Sequence, residues 1–214
     1  SLVARAVGAK NVERQIRLTR RMQSIRVLRY VPTAGVSLAG SGKVVLLVLC
    51  ALLWRLAPHM GWLPTTSAAL VVSLCGVAKA AFKGPRPYWV DDHGLETLDP
   101  TLEVSFGFPS GHTAAVTSVY TLVLTLWKHE SESARAAATN WLAGLIAAVA
   151  LSRVFTAAHF VHDVVGGALL GYFTFALVQA FDERLRTHDE RAAWLLTASV
   201  VVFTAVVSQF APTR

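Results

Sequence analysis

The stretch VVGGALLGYFTFALVQAF, residues 164–181, contains no charged side chain. Its length approaches the roughly 20 apolar residues that a transmembrane helix needs. Five further apolar runs occur in the chain, at 44–54, 63–78, 114–127, 136–151 and 192–211. Hydrophobic residues make up 54% of the 214 positions, charged residues only 15%, and the mean hydropathy is +0.49. Soluble domains usually carry about a quarter charged residues, so this composition predicts an integral membrane protein.

The six runs predict an all-α fold, a polytopic membrane bundle of about six transmembrane helices. The run 44–54 is short for a full crossing unless 35–42 joins it, which would place Lys43 inside the span. Five spans, with this run re-entrant or tilted, are therefore the alternative. Short polar joints separate the runs and no internal repeat occurs, so residues 32–214 are predicted to form one membrane-embedded domain.

The N-terminal arm, residues 1–31, holds eight of the twenty Lys and Arg residues and one acid, Glu13. Four apolar residues recur among them at roughly helical spacing: Val12, Ile16, Ile25 and Leu28. This pattern predicts a basic amphipathic helix on an anionic bilayer surface, with membrane lipids as partners. A solvated arm is the alternative. The basic residues lack interleaved aromatic residues, so we expect no nucleic-acid partner.

The polar joints alternate between two membrane faces if each run crosses once. Joints 83–108 and 153–160 then share one face with both chain ends, and joints 55–62, 128–135 and 182–191 lie on the other. Lys and Arg residues near the span ends are similar in number on both faces, so the positive-inside rule leaves the cytoplasmic face open. Three clusters of polar residues fall on the first face, and we expect them to form one site there.

The first cluster contains Lys79 and Arg86, followed by Pro87. Seven residues is close to two helical turns, so a continuous helix would aim both cations at one point. Arg can donate two parallel hydrogen bonds to a phosphate, and Lys adds a compact charge. Cations that merely reach from a membrane end toward water are the alternative.

The second cluster is Pro109-Ser110-Gly111-His112, at the start of the run 114–127. The N-terminus of a helix presents free N–H groups and favours anions. Ser110 can donate its hydroxyl, Gly111 allows close approach of the backbone, and His112 is suited to deliver a proton. An ordinary Ser N-cap beside an interfacial histidine is the alternative.

The third cluster contains Arg153, His159 and Asp163. His159 and Asp163 are four residues apart and therefore neighbours on one helix face. A carboxylate bonded to one imidazole nitrogen fixes the tautomer and leaves the other nitrogen as a nucleophile. A buried structural His–Asp pair is the alternative. We expect His162 to point to a different face.

Together the three clusters resemble the three-part signature of the type-2 phosphatidic acid phosphatase superfamily, from about residue 79 to residue 163. The resemblance implies a metal-independent phosphatase without a cofactor. His159 would attack phosphorus, His112 would protonate the leaving oxygen, and Asp163 would orient His159. The remaining signature residues would bind the phosphate: Lys79, Arg86, Ser110, Gly111 and Arg153.

Several functions are compatible with this signature. The leading hypothesis is hydrolysis of a phosphorylated lipid, either a monoester such as phosphatidate or a polyprenyl diphosphate. A hydrolase of a soluble phosphate ester, similar to glucose-6-phosphatase, is an alternative, as is a vanadate-dependent haloperoxidase. A six-span transporter or a scaffold is the non-enzymatic alternative, although no span is broken midway by Gly or Pro in the way that transporter sites often are. The residues indicate no particular oligomeric state.

Overall fold

A computed structural model of the chain describes residues 7–25, 62–91, 94–96, 105–126 and 131–185, with the isolated positions 198, 199 and 202. The predicted span 44–54 and nearly all of the predicted span 192–211 lie outside these residues. Within the described residues the fold is helical, with no strand. The helices are α1 (Ala9–Ser24), α2 (Trp62–Phe82), α3 (Pro87–Val90), α4 (Gly111–Leu126), α5 (Glu132–Phe155) and α6 (Val161–Leu185).

Three helical segments in the described part of the chain have the length and hydropathy of membrane spans. They are Leu63–Val90, Glu132–Phe155 and Val161–Asp182. Helix α4 has 16 residues, or about 24 Å at 1.5 Å per residue, and is shorter than a typical hydrocarbon core of about 30 Å. The all-α membrane architecture predicted from the apolar runs is confirmed.

Local sequence signals set the helix ends a few residues beyond the apolar runs. The Ser131 side chain accepts a hydrogen bond from the Ala134 amide (3.2 Å) and so caps the start of α5. Helix α2 ends at Phe82, where Lys83 adopts a left-handed backbone with φ 48°. The Gly-Pro sequence that follows cannot continue the helix, because proline lacks an amide N–H and clashes with the preceding turn.

Helices α4 and α6 pack closely through two glycines. A Cβ atom added to Gly167 would lie 2.5 Å from the Ser110 carbonyl oxygen. One added to Gly171 would meet the Ala114 carbonyl oxygen and lie 2.8 Å from the Cβ of Thr117. The GxxxG spacing therefore brings the two backbones together, as it does in many membrane helix pairs. The contact fixes the start of α4 against the start of α6, where the polar clusters lie.

We predict that Gly171→Val lowers the free energy of unfolding by about 1–3 kcal/mol, because the added side chain must push α4 away. Gly144→Ala is the matched control, since a Cβ at this position of α5 meets no atom within 4 Å. Thermal denaturation in detergent measures both variants. Equal melting temperatures for the two variants would contradict the close α4–α6 contact.

Helix α1 packs on the protein through part of its circumference. Ile16 joins a buried cluster with Leu95, Ala157 and Phe160, and Val12 packs against this cluster. The buried residues of α1 are Ile16, Thr19 and Gln23. The predicted amphipathic helix is thus present at 9–24, with its buried side on the joints near the polar clusters. Contact of its exposed basic side with a bilayer stays a prediction.

Candidate active site

Arg86 is completely buried just beyond the end of α2. Its Nε donates to the Ser105 carbonyl oxygen (2.6 Å), and its Nη1 donates to the Ala158 carbonyl oxygen (2.9 Å). Its Nη2 lies 3.3 Å from the Ser105 hydroxyl and 3.4 Å from the Phe106 carbonyl oxygen. One guanidinium therefore connects the joint before α4 with the turn before α6.

Lys79 reaches the same point, because its Nζ donates to the Ser105 hydroxyl at 3.1 Å. The two cations do not meet on a continuous helix, as the spacing suggested, since α2 ends at Phe82 and Arg86 has an extended backbone. They converge because a turn after α2 brings Arg86 back beside Ser105. Sequence reasoning did not identify Ser105, and no feature of the sequence around it indicated this role.

The joint 105–110 passes between the other parts of the site with little free space. The Gly107 amide donates to the Gly84 carbonyl oxygen at 2.8 Å. A Cβ on Gly107 would lie 3.0 Å from the Pro85 carbonyl oxygen and 3.1 Å from Asp163 Oδ2. A larger residue than glycine at this position would press on the Asp163 carboxylate.

Ser110 lies at the start of α4 and is completely buried. Its amide donates to the Asp163 carbonyl oxygen (2.9 Å), and its hydroxyl lies 3.1 Å from the Thr113 hydroxyl. The first residue of α4 is Gly111, and a Cβ added there would meet no atom within 4 Å. The start of α4 is therefore anchored through Ser110, while the space beside Gly111 is open.

The turn 156–160 connects α5 to α6 and carries His159. The amides of Ala158 and His159 both donate to the Arg153 carbonyl oxygen, at 3.2 and 3.1 Å. Ala157 has a left-handed backbone, with φ 56°, which lets the chain reverse over the end of α5. Arg153 and His159 are both buried. The backbone of this turn thus folds His159 back over Arg153.

Asp163 holds the turn from the α6 side. Its Oδ2 accepts a hydrogen bond from the Phe160 amide (2.9 Å) and lies 3.5 Å from His159 Nδ1. Both Asp163 and His159 are fully buried. In the part of the chain that the structure describes, neither ring nitrogen of His159 makes a hydrogen bond. The Asp163 carboxylate thus lies beside Nδ1 without a hydrogen bond to it, and Nε2 is buried without a hydrogen-bond partner among the described residues.

The expectation that His162 points to a different face from His159 and Asp163 is wrong. Its Nε2 lies 3.3 Å from Asp163 Oδ1. Its ring stacks on Phe160, with centroids 5.3 Å apart, and on Phe108 at 6.4 Å. Two histidines therefore approach the two oxygens of one carboxylate. His159 lies in the turn before α6 and His162 in the first turn of that helix, so the two rings reach different oxygens of Asp163.

The electrostatic environment of His159 brings the three clusters together. Burial lowers the pKa of His159 well below its ordinary value, and the positive charges of Arg86, Arg153 and Lys79 lower it further, as does His112. Each predicted cation thus lies within electrostatic range of this imidazole. The site accordingly combines a buried imidazole, whose lowered pKa favours its neutral form, with a concentration of positive charge that would attract an anion.

No group of three or more His, Cys, Asp or Glu side chains with the geometry of a metal site occurs in the ranges that the structure describes. The side chains that converge here are mainly Lys and Arg, which repel a cation. Donors of this kind are suited to a phosphate or a similar oxyanion.

The structure thus defines a helical membrane protein with a buried, cation-rich cluster of side chains around a histidine. Residues 60–187 match the model of the PAP2 superfamily. Because this match covers more than half of the chain, the protein belongs to the PAP2 superfamily.

Two curated relatives match part of the chain. Phosphatidylglycerophosphatase B of Bacillus subtilis (strain 168) is 42% identical over 92 residues, which are 42% of this chain and 45% of the relative. Glucose-6-phosphatase 3 of Mus musculus is 33% identical over 137 residues, which are 57% of this chain and 39% of the relative. The chain thus matches less than half the length of either relative.

Two crystal structures have similar folds. A transmembrane PAP2-type phosphatidylglycerolphosphate phosphatase from Bacillus subtilis superposes with a TM-score of 0.66 and 25% identity, covering 87% of this chain and 93% of that one. LpxE from Aquifex aeolicus superposes with a TM-score of 0.60 and 21% identity, covering 77% and 93%. The second likeness concerns the fold alone.

Proposed function

We propose that this protein is an integral-membrane phosphatase that hydrolyses the phosphate monoester or diphosphate of a lipid through a phosphohistidine intermediate. One observation carries the proposal: the fully buried His159 lies within electrostatic range of three cations, Arg86, Arg153 and Lys79, and of His112. Such an imidazole is neutral and can attack, while the cations hold the phosphate that it attacks.

The first step is attack of His159 Nε2 on phosphorus. Lys79, Arg86, Arg153, the Ser110 hydroxyl and the Gly111 amide bind the phosphoryl oxygens and stabilise their charge in the transition state. A bond forms from Nε2 to phosphorus as the bond to the leaving oxygen breaks, and His112 gives that oxygen its proton. Asp163, beside Nδ1, stabilises the positive charge that develops on the imidazole.

The second step is hydrolysis of the phosphohistidine. His112, now neutral, takes a proton from water, and the water oxygen attacks phosphorus as the bond to His159 breaks. Inorganic phosphate leaves, and both histidines return to their starting protonation states. Every catalytic group in this cycle belongs to the chain itself, and water is the second nucleophile. General acid–base catalysis of this kind is typically worth about 10²–10⁴-fold in rate.

A lipid substrate is supported by the surroundings of the site. Val77 and Phe82 near the end of α2, and Val161 and Val165 at the start of α6, are large apolar side chains that are exposed in the protein. In a membrane they contact lipid beside the site, so a lipid tail can stay in the bilayer while its phosphate reaches the cations. The likeness to phosphatidylglycerophosphatase B also favours a phospholipid.

A soluble phosphate ester is the second candidate substrate, because one relative is a glucose-6-phosphatase that is 33% identical over 137 residues. The deciding experiment measures phosphate release by the purified protein in detergent with EDTA. Its panel contains phosphatidate, phosphatidylglycerophosphate, a sphingoid phosphate, a polyprenyl diphosphate and a hexose phosphate. Release from a lipid substrate supports the proposal, and release from the hexose phosphate alone selects the second candidate. Loss of all activity in EDTA, restored by Mg²⁺, would overturn the histidine mechanism.

The acid limb of the pH–rate profile should lie well below pH 6.5, the ordinary value for histidine. Burial is the main cause of the lowered pKa of His159, and the nearby cations add to it, so the nucleophile stays neutral in mildly acidic solution. Lys79→Gln removes one positive charge and should move the acid limb of kcat/KM upward, toward pH 6.5. The profile is measured with two aryl phosphates whose phosphate groups have different pKa values. An acid limb at the same pH for both substrates reports ionisation of the enzyme and not of the substrate. A limb near pH 6.5 that does not move in the variant would contradict this assignment.

We also propose that the site and both chain ends lie on one membrane face. Glu96 lies on the joint beside the site, whereas Glu132 lies at the far end of α5, 24 residues long. A cysteine at 96 should react with an impermeant thiol reagent from the same face as one placed after 210, and a cysteine at 132 only from the other face. Cys75 is buried and should stay unlabelled. Labelling of 96 and 132 from one face would contradict the arrangement.

A further inference from the structure

Helix α1 contacts both ends of the turn that carries His159. Near its middle, Gln15 Oε1 accepts a hydrogen bond from the Val161 amide at 2.9 Å. Val161 is the first residue of α6, and its amide has no carbonyl partner within that helix. Gln15 therefore supplies an acceptor at the start of α6, from a residue 146 positions away in the sequence.

Eight residues later, Gln23 contacts the other end of the turn. Its Nε2 donates to the Phe155 carbonyl oxygen at 2.9 Å, at the last residue of α5. The same amide group also donates to the Glu96 carbonyl oxygen (2.8 Å), and its Oε1 accepts from the Glu96 amide (3.3 Å). Gln23 is buried, so water does not readily replace these bonds. Gln23 thus joins the end of α5 to the joint that follows α3.

Between the two glutamines, Ile16 packs against Ala157 and Phe160 of the turn. Arg20 adds a connection to the joint after α3, because its Nε and Nη2 lie 3.0 and 2.6 Å from Asp91 Oδ2. One side of α1 is therefore in contact with the protein along the whole turn. This contact is more extensive than a helix that only rests on a lipid surface would need.

We propose that α1 is a positioning strap for His159, acting through Gln15 and Gln23; the inference rests on the phosphatase function proposed above. The ring of His159 makes no hydrogen bond within the described residues, so its place is set by the backbone of the turn and by packing. That backbone contains the left-handed Ala157, which is a less favourable conformation for a residue with a Cβ. Holding Phe155 and Val161 at a fixed separation keeps the turn in this shape and His159 aimed at the phosphate.

The two glutamines contact the turn through opposite groups, Gln15 through its amide oxygen and Gln23 through its amide nitrogen, which provides a sharp test. Gln15 serves as an acceptor, so Gln15→Glu keeps its bond while Gln15→Ala loses it. Gln23 serves as a donor to two carbonyl oxygens, so Gln23→Glu loses those bonds and turns a carboxylate toward the carbonyls. Glu13→Ala is the matched control, because Glu13 lies on the same helix, is exposed and pairs only with the equally exposed Arg17 among the described residues.

The experiment measures kcat and KM on the best substrate of the panel, in detergent, for the full chain and each variant. We expect Gln15→Ala to lower kcat by about tenfold with little change in KM, because a misplaced nucleophile slows attack without removing a phosphate ligand. Gln15→Glu should restore most of the rate. Gln23→Ala and Gln23→Glu should both lose at least about tenfold in kcat, and Glu13→Ala should match the wild type.

Hydrogen exchange of a peptide spanning 154–164 gives a second readout that needs no activity. Exchange should accelerate in Gln15→Ala and Gln23→Glu, and stay slow in Gln15→Glu and Glu13→Ala, while peptides from the middle of α6 remain protected in all variants. Equal kcat and equal exchange for Gln15→Ala and Glu13→Ala would overturn the strap, as would a Gln15→Glu variant as impaired as Gln15→Ala. If the wild type hydrolyses no phosphate, the proposed function fails, and the exchange pattern alone still decides whether α1 holds the turn.

Discussion

His159→Ala is expected to abolish both phosphate release and phosphoenzyme formation on every substrate, a loss of at least about 10⁴-fold in kcat/KM. The side chain is buried within electrostatic range of Arg86 and Arg153. If water attacked phosphorus in its place, no covalent intermediate would form. Labelling with a ³²P-phosphate ester, followed by alkaline denaturation that preserves phosphohistidine, measures the intermediate directly.

His112→Ala should fail in a different way. Attack by His159 remains, but the leaving oxygen must depart without a proton, at a cost of about 10²–10⁴-fold for an alkyl lipid phosphate. An aryl phosphate has a good leaving group, so it should still label the enzyme. Breakdown of the label should be slow, since His112 also activates the water. The phosphoenzyme should therefore accumulate on the aryl substrate.

Two further variants complete this comparison. Asp163→Asn keeps the bond from the Phe160 amide but weakens the charge beside His159 Nδ1, so its rate should lie between those of wild type and His159→Ala. His162→Ala is the histidine control and should retain labelling, because its ring contacts only the other carboxylate oxygen of Asp163 and its aromatic neighbours among the described residues. If His112→Ala abolished labelling by the aryl phosphate and His159→Ala left it intact, the two roles would have to be exchanged.

The helical membrane fold was predictable because it depends on a strong local signal. An uninterrupted apolar run such as 164–181 needs only its own backbone hydrogen bonds and surrounding lipid to form a helix. The spacing of Gly167 and Gly171 marks a face of one helix that favours close packing, whereas the partner of that face, α4, depends on the tertiary fold. The helix ends were less predictable, because they depend on caps and on the left-handed residues Lys83 and Ala157.

The side chains of the candidate site could be identified from the sequence, but the hydrogen bonds that connect them could not. Charged residues beside apolar runs are costly and stand out in the sequence, which singled out Lys79, Arg86 and Arg153. The residues that connect them are ordinary in type: Ser105 joins two of the cations through its hydroxyl and carbonyl oxygens. Such contacts come from joints far apart in sequence, and no local pattern records them.

The contacts of α1 also join segments that are far apart in sequence, so the sequence indicated the helix but not its partner. Its basic residues and apolar spacing predicted an amphipathic helix, and the structure has that helix at 9–24. Gln15, Thr19 and Gln23 recur every four residues beside Ile16, a polar stripe that could have indicated a protein partner for this face. The identity of that partner, the His159 turn 132 or more positions away, depends on the tertiary fold.

Arg86→Ala should lower kcat/KM by about 10³-fold and also destabilise the fold. Its guanidinium would bind a phosphoryl oxygen in the transition state, and loss of one such donor typically costs about 10²–10³-fold. Its bonds to the Ser105 and Ala158 carbonyl oxygens are buried, so removal leaves acceptors without donors, at about 1–3 kcal/mol for each. Arg86→Lys should recover little, since one ammonium cannot reach both carbonyl groups.

Lys79→Ala tests the effect of one positive charge on activity without an expected loss of thermal stability. Lys79 lies in a half-buried position and contacts the Ser105 hydroxyl, which still has Arg86 beside it. We therefore expect loss of kcat/KM and weaker competitive inhibition by vanadate, which resembles the transition state, but a melting temperature close to the wild type. Arg86→Ala should lose activity, vanadate affinity and thermal stability together. Both cations also lower the pKa of His159. A normal vanadate affinity in Arg86→Ala would mean that this guanidinium only holds the turn in place. The phosphate would then have to bind among Lys79, Arg153 and the start of α4.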